Sequence, residues 1–163
     1  MSLLEREAVK SVRDALIDAG LDDTTIELEQ TARSAKDAAS AIGCELGAIV
    51  KSLVFTLEQQ FVLALIAGDN KCLEFFLPQV FNLEGRVKRP TASEVKEVTG
   101  FTIGGVAPIG MKKQLPTVID ASFKRFDKIY AAAGHPHCVF SITLENLSRV
   151  TTAIVSAEVA EQI

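Results

Sequence analysis

Lys51 is the residue whose setting first points to chemistry. It is the only charged residue in the apolar stretch AIVKSLVF, which begins at Ala48. If this stretch is a strand, Lys51 shares a face with Ile49 and Leu53. Burying an unpaired ammonium is costly, which leaves two interpretations. Lys51 is either a strand-end lysine whose ammonium reaches water, or a cation held at a pocket mouth for a phosphate or carboxylate.

The second unusual feature is FTIGGVAPIG, the uncharged segment from Phe101 to Gly110. Surface loops are usually polar, because their backbone must be solvated. The segment has neither the GxGxxG order nor the lysine of a phosphate-binding loop. Glycine lets a ligand approach backbone N–H groups, Pro108 stiffens the chain, and preorganised amides can stabilise a developing oxyanion. The alternative is a tight apolar turn.

His135, His137 and Cys138 lie together in AGHPHC. Three ligands on one short segment rarely complete a tetrahedral metal site. A turn between strands, or a histidine that contacts substrate or transfers a proton, is the other interpretation. The sequence contains no GxSxG nucleophile motif. An enzyme of this sequence would therefore work by positioning and electrostatics more than through a covalent intermediate.

Composition limits the class of protein. A chain of 163 residues predicts a single domain over 1–163. The net charge of −4 argues against a general nucleic-acid binder, although basic clusters such as Arg86, Lys88 and Arg89 could form a local patch or a solvated face. Three cysteines without paired spacing indicate a reduced, cytoplasmic protein. We recognise no signal peptide and no apolar run of the roughly 20 residues that span a bilayer.

The elements that must position these residues mix helices and strands. Helical spacing predicts a helix from Leu4 to Ala19, and capping signals predict helices after Ser34, Thr91 and Thr143. Strand patterns and turn signals predict the remaining elements: a strand over TIELEQ, a hairpin of AIVKSLVFTL with FVLALIAG, and strands over GRVKRPT, LPTVID, DKIYAAAG and CVFSIT. AIVSAEV is either a last strand or a tail. NKCLEFFLPQV is predicted as a helix that Pro78 ends or kinks. The order favours an α+β fold with a mixed sheet.

Four segments in this order resemble one known family. They are TARSAKDAASAIGCELGAIVKSLVF from Thr31, GGVAPIG from Gly104, VID before Ala121, and AAAGHPHCVFSITLENL. Together they resemble the YbaK/ProX family, the aminoacyl-tRNA deacylases related to the editing domain inserted in bacterial prolyl-tRNA synthetases. The similarity runs from about Glu27 to Val155. The lysine in a strand followed at this separation by a GxxxP loop is its most specific part.

The resemblance implies a stand-alone trans-editing domain with a mixed, partly barrel-like sheet flanked by helices. Such proteins hydrolyse the ester that joins a wrong amino acid to the 3′-terminal adenosine of tRNA, and need no metal or organic cofactor. Lys51 matches the family lysine and would orient the substrate end. The GxxxP loop matches Gly104 to Pro108, and its backbone would grip the ester. In relatives the 2′-hydroxyl of the terminal ribose is thought to assist the reaction.

The resemblance also implies a set of site residues and partners. The expected catalytic residues are Lys51, Gly104 and Gly105, and the expected substrate-binding residues are Thr31, Val106, Ala107, Pro108, Asp120, His135 and His137. Asp120 is expected either to line the pocket or to be structural, and His135 and His137 either to contact substrate or to shape the turn. Apolar Ile49, Leu53, Val106 and Ile109 are the predicted walls.

The expected substrate is a mischarged aminoacyl-tRNA bound by its 3′ acceptor end, such as tRNA-Pro carrying Ala or Cys. A synthetase is a candidate second partner, no membrane is expected, and we expect a monomer. Two alternatives stay open from the residues. One is a non-catalytic module of the same fold that binds tRNA or a synthetase. The other is a metal-dependent hydrolase that uses His135, His137 and Cys138.

Overall fold

The computed structural model describes residues 2–163, in which five α-helices and ten strands alternate. The helices are α1 (Glu7–Asp18), α2 (Ala35–Ile42), α3 (Leu77–Phe81), α4 (Ala92–Thr99) and α5 (Leu144–Thr151). The strands are β1 (Ile26–Glu27), β2 (Val50–Leu57), β3 (Gln60–Ala67), β4 (Asn70–Cys72), β5 (Val87–Lys88), β6 (Thr117–Asp120), β7 (Ile129–His135), β8 (Cys138–Ile142), β9 (Ile154–Ser156) and β10 (Ala160–Gln162).

The main sheet is mixed and has the strand order β5-β2-β3-β6-β9. Its centre is the predicted hairpin, in which β2 and β3 pair antiparallel from Val50 opposite Ala67 to Leu57 opposite Gln60. The β3–β6 and β6–β9 pairs are parallel. A second sheet has the order β1-β8-β7, and β10 pairs with β4. A single parallel bridge between Ile49 and Tyr130 joins the main sheet to the second one. The predicted α+β class is confirmed.

Local capping explains why the short helices begin and end where they do. The Thr91 side chain accepts a hydrogen bond from the Glu94 amide at 3.1 Å, and the Glu94 carboxylate accepts one from the Thr91 amide at 2.9 Å. This is the predicted capping box at the start of α4. Gly100 ends α4 with a φ of 87°, a conformation that favours glycine. The predicted caps of α2 and α5, Ser34 and Thr143, are also present.

The predicted helix over NKCLEFFLPQV is wrong in its first half. Asn70–Cys72 forms β4, which pairs with β10 at the far end of the chain. A 3₁₀ turn over Glu74–Phe76 follows, and α3 begins only at Leu77. Pro78 lies in the first turn of α3, where its missing N–H costs no intrahelical hydrogen bond, so it starts the helix instead of ending it. The strand predicted over TIELEQ is likewise only two residues long.

The apolar side chains form three buried clusters. The largest lies between the main sheet, α1 and the β7–β8 pair and includes Val50 and Val54 of β2. The second lies on the opposite side of β2 and includes Phe55 and Leu57. A small third cluster packs α2 against Ile49. Strand β2 is therefore enclosed on both sides. Over residues 2–163, no helix combines the length and the apolar character needed to cross a bilayer.

Candidate active site

A cavity of about 320 Å³ lies between β2, the start of α4 and the segment Phe101–Gly110, which we call the glycine loop. This volume is within the range of pockets that bind small ligands. The residues that line it are Val50, Ser52, Leu53, Val54, Arg89, Pro90, Val95, Ile103, Gly104, Val106 and Ala132. We call this space the large cavity, to distinguish it from a smaller one next to it. It lies between the glycine loop and the strand that carries Lys51.

The glycines of the loop set its position between α1 and β7. Gly104 has a φ of 92°, which favours glycine. A Cβ atom on Gly105 would lie 2.9 Å from the His135 backbone nitrogen, so the loop packs directly on the backbone of β7. A Cβ atom on Gly110 would lie 2.8 Å from the Ser11 carbonyl oxygen of α1. The tight-turn interpretation therefore correctly describes how the loop is held.

The same loop also contributes residues to the cavity wall whose backbone donors are unpaired. The Gly105 amide donates to the Thr102 carbonyl at 3.0 Å. The amides of Gly104 and Val106, by contrast, have no acceptor within the described part of the chain, and both residues line the large cavity. Ala107 and Pro108 are buried and lie outside the set of lining residues. Amides placed in this way can bind an oxygen atom of a ligand.

The Lys51 ammonium is bound by the protein and does not point into the large cavity. It donates a hydrogen bond to the backbone carbonyl of Asn70. Burial lowers the pKa of Lys51, and the acidic groups of Asp69, Cys72 and Asp120 oppose that shift. The alternate residues Val50, Ser52 and Val54 line the large cavity. Neither sequence interpretation foresaw a backbone carbonyl as the partner of this cation.

Lys51 instead lines a second, smaller cavity of about 60 Å³. The two cavities share Val50 and Ala132, so they adjoin across β2 and β7. The walls of the small cavity are mainly apolar, with Lys51 and His135 among its polar members. Its other lining residues are Ala32, Ser34, Ala35, Ala38, Ile42, Ile49, Tyr130, Ala131, Pro136, Cys138 and Val139. The volume is about twice the ~30 Å³ share of one water molecule in the liquid.

Asp120 is 3% exposed and lines neither cavity. Its carboxylate accepts hydrogen bonds from the Ala67 amide at 3.1 Å, the Asn70 side-chain amide at 2.8 Å and the Ser122 amide at 2.9 Å. These contacts tie the end of β3 to the residues that follow β6. Of the two roles expected for Asp120, its contacts match the structural one.

The two histidines are joined to each other and to the turn between β7 and β8. The His137 amide donates to His135 Nδ1 at 3.1 Å. His137 Nδ1 lies 3.1 Å from the Leu28 carbonyl oxygen, which only accepts, so this nitrogen carries the proton. Burial, with further contributions from Arg6, His137 and Arg33, lowers the pKa of His135 against the raising effect of Glu27. His135 lines the small cavity, whereas His137 does not.

Cys138, the third residue of the proposed metal group, is fully buried in the largest apolar cluster. Burial raises the pKa of its thiol to about 11. Within residues 2–163, no three side chains of His, Cys, Asp or Glu are grouped so that they could hold a metal ion.

The remaining predicted residues divide between the two cavities and the core. Leu53 and Val106 line the large cavity and Ile49 the small one, whereas Ile109 is buried outside both. Thr31 lines neither cavity, but its hydroxyl oxygen is buried without a hydrogen-bond partner in the described chain. It directly precedes Ala32, whose amide donates to the Pro136 carbonyl beside the small cavity.

Sequence reasoning missed two polar residues of the large cavity. Ser52 follows Lys51 directly, and its buried hydroxyl has no partner within residues 2–163. Alternation along β2 could have identified it, since it must point to the opposite face from Lys51. Arg89 belongs to a basic cluster that the sequence could not distinguish from a solvated face. Arg89 lines the cavity, and its guanidinium lies 4.9 Å from the centre of the buried Phe55 ring.

Comparison with known proteins identifies relatives along the chain. Residues 29–150 match the profile of the aminoacyl-tRNA editing domain. The uncharacterized protein YwhH of Bacillus subtilis strain 168 is 32% identical over 155 residues, which cover 94% of this chain and 98% of YwhH. In Enterococcus faecalis strain V583, "Putative Cys-tRNA(Pro)/Cys-tRNA(Cys) deacylase EbsC" is 30% identical over 130 residues, which cover 73% of this chain and 77% of that protein.

A solved structure is similar over nearly the whole chain. It is described as "a putative trans-editing enzyme for prolyl tRNA synthetase" and superposes with a TM-score of 0.85 at 36% sequence identity. The match covers 93% of this chain and 96% of that one. The resemblance based on Lys51 and the GxxxP loop is thereby confirmed, and the chain belongs to the aminoacyl-tRNA editing domain family, with the YbaK/ProX-type deacylases.

Proposed function

We propose that this protein is a trans-editing aminoacyl-tRNA deacylase. In this proposal it hydrolyses the ester of a proline-accepting tRNA that carries a small wrong amino acid such as alanine or cysteine. The observation that carries the proposal is the pair of adjoining cavities, one walled by unpaired amides of the glycine loop and the other lined by Lys51 and His135. The family of the chain and the names of its relatives support the same substrate class.

The two volumes match the two ends of such a substrate. The large cavity, at about 320 Å³, has room for a nucleoside-sized group. The small cavity, at about 60 Å³, has room for the methyl side chain of alanine or the sulfanylmethyl side chain of cysteine. In this arrangement the scissile ester lies where the cavities adjoin, beside Val50 and Ala132. Volume then sets specificity, because a larger side chain is excluded sterically.

Ester hydrolysis needs an activated water molecule that attacks the carbonyl carbon. It also needs hydrogen-bond donors for the oxyanion that forms. The amides of Gly104 and Val106 are the donors proposed for that oxyanion. The family resemblance implies that the 2′-hydroxyl of the substrate's terminal ribose assists, either by activating water or by itself promoting the reaction, and our proposal uses the first of these roles. The carbonyl carbon gains a bond to the water oxygen, the bond to the ribose 3′ oxygen breaks, and that oxygen leaves with a proton.

Lys51 can assist this reaction without leaving its partner. An ammonium has three N–H donors, and the Asn70 carbonyl uses one of them. The two others remain for an oxygen of the substrate. Arg89 at the large cavity and Arg33, whose Cγ lies 3.6 Å from the Cβ position of Gly104, place further positive charge nearby. A chain with net charge −4 could thus bind an acceptor end through few phosphate contacts, with a modest dependence on salt.

The proposal is tested with a panel of proline-accepting tRNAs charged with alanine, cysteine, serine or proline. Wild-type protein is expected to release one or more of the small wrong amino acids while the prolyl ester persists. Loss of ester is followed with a radiolabelled amino acid against a buffer control. Failure to hydrolyse any mischarged tRNA would overturn the proposal, and tRNA binding without cleavage would instead favour a non-catalytic module.

A further inference from the structure

Behind Lys51 lies a polar group that we call the Asp120 cluster, in which Asn70 and Asp120 are buried and Ser122 is half-buried. Asn70 is 8% exposed and Asp120 is 3% exposed. None of the three side chains lines the large or the small cavity. Buried polar side chains are retained only where hydrogen bonds compensate their desolvation, so the contacts of this cluster indicate what it holds in place.

The cluster fixes the residue that binds the Lys51 ammonium. The Asn70 side-chain amide donates to Asp120 Oδ2 at 2.8 Å and to Ser122 Oγ at 3.0 Å. Both of its N–H donors thus have an acceptor. The backbone carbonyl of the same Asn70 accepts the hydrogen bond of Lys51. Holding the Asn70 side chain on one side therefore holds the lysine's partner on the other.

Asp120 is itself anchored to two other parts of the sheet. Its Oδ2 accepts from the Ala67 amide at 3.1 Å, and its Oδ1 accepts from the Ser122 amide at 2.9 Å. Ala67 is the last residue of β3 and lies opposite Val50, next to Lys51. The Asp120 carboxylate therefore connects the ends of β3 and β6 to the beginning of β4, the strand that contributes Asn70.

Charge adds a second connection between Asp120 and Lys51. Asp69 is paired with Arg125 at 2.8 Å, whereas Asp120 forms no ion pair within residues 2–163. The charges that oppose the burial of Lys51 come from Asp69, Cys72 and Asp120. Asp120 is thus the nearby carboxylate without a contacting cation of its own.

We propose that Asp120 is a positioning residue for Lys51. Through Asn70, Asp120 holds the Lys51 side chain at the small cavity. Asp120 acts through its hydrogen bond to the Asn70 side chain and through its charge on the Lys51 ammonium. As a statement about catalysis this rests on the proposed deacylase function. As a statement about the Lys51 side chain it does not, and the two can be tested separately.

The decisive comparison uses Asp120→Asn and, as a control, Asp127→Asn, which removes an equal charge from an exposed position. The pKa of Lys51 is followed by NMR of isotopically labelled lysine. It should fall further below its ordinary value in Asp120→Asn, because removal of a nearby negative charge disfavours the ammonium. Deacylation should show kcat about tenfold lower with KM little changed, since misplacement mainly affects the chemical step. Asp127→Asn should leave both quantities unchanged.

Asn70→Ala provides a second variant in case Asp120→Asn does not fold. It keeps the backbone carbonyl that binds Lys51 and removes only the side chain that Asp120 holds. We expect faster exchange of the Lys51 ammonium protons with water and a similar fall in kcat. A folded variant of either kind with unchanged Lys51 signals would overturn the positioning role. If wild-type protein hydrolyses no ester, the proposed function fails, while the NMR comparison still decides the role of Asp120.

Discussion

The glycine loop and the Asp120 cluster both lie beside residues of β2, but different forces hold them in place. The loop is held by packing, since Phe101, Ala107 and Ile109 are almost fully buried and its glycines allow backbone to approach backbone. The Asp120 cluster is held by hydrogen bonds between buried polar groups. An added methyl group should therefore damage the first region, and the loss of a charge or a hydrogen bond the second.

The largest effect is expected for Gly105→Ala. The new methyl group would lie 2.9 Å from the His135 backbone nitrogen and 3.0 Å from the Gly134 carbonyl carbon. Backbone cannot give way as a flexible side chain can, so the loop must move away from β7. We expect the free energy of unfolding to fall by about 1–3 kcal/mol, as for an overpacked core. Deacylation should slow by about a hundredfold because its donors are displaced.

Gly20→Ala is the matched control for that variant. Gly20 has a φ of 78°, but a Cβ atom there would meet nothing within 4 Å. Backbone strain should lower the free energy of unfolding by about 1–2 kcal/mol, with no loss of deacylation. Chemical denaturation and single-turnover kinetics measure the two quantities. Full activity in a folded Gly105→Ala protein would contradict the role of close packing in placing the loop.

A smaller effect is expected for Ser52→Ala, which should preserve or raise stability and lower activity. The Ser52 hydroxyl is buried without a partner at the large cavity, so its removal should leave the free energy of unfolding unchanged or raise it by up to about 1 kcal/mol. If the hydroxyl bonds to the substrate, deacylation should fall by about five- to tenfold. Ser40→Ala, an exposed change in α2, is the control. A Ser52→Ala protein that is destabilised and fully active would contradict this expectation.

The smallest effect concerns the histidine turn at the end of β7. Burial holds the pKa of His135 below its ordinary value of 6.5, and His135 Nδ1 accepts a hydrogen bond that needs the neutral ring. Below pH 6.5 the unfolded chain therefore takes up a proton that the folded chain resists. As pH drops from 6.5 towards the pKa of His135 in the folded protein, the free energy of unfolding should fall. Above pH 6.5 the contribution of His135 should stay constant. Denaturation of wild type and His135→Gln between pH 5 and 7.5 measures this, and identical curves would contradict it.

Local signals were enough to predict several elements. The capping box of Thr91 and Glu94, the hairpin of β2 with β3, and the helix after Thr143 follow from residues close together in the sequence. The pairing of β4 with β10 does not, because the two strands lie far apart along the chain. Pattern alone therefore extended a helix over Asn70–Cys72, where tertiary pairing makes a strand.

The candidate site shows the same division between local and distant information. Lys51 and the glycine loop are conspicuous because their composition is locally unusual. The partner of Lys51 is a backbone carbonyl, which has no sequence signature, and the residue that fixes it is Asp120 on another strand. Arg89 could be placed at the large cavity only after the fold had brought β5 beside β2.

The most direct test of the central claim is single-turnover hydrolysis of alanyl- and cysteinyl-tRNA of the proline-accepting type by wild type and Lys51→Ala. We predict that wild type cleaves at least one of these esters and that Lys51→Ala is about a hundredfold slower, with unchanged circular dichroism. Full activity in a folded Lys51→Ala protein would remove the proposed role of Lys51. An absence of hydrolysis by the wild-type protein would contradict the proposed function itself.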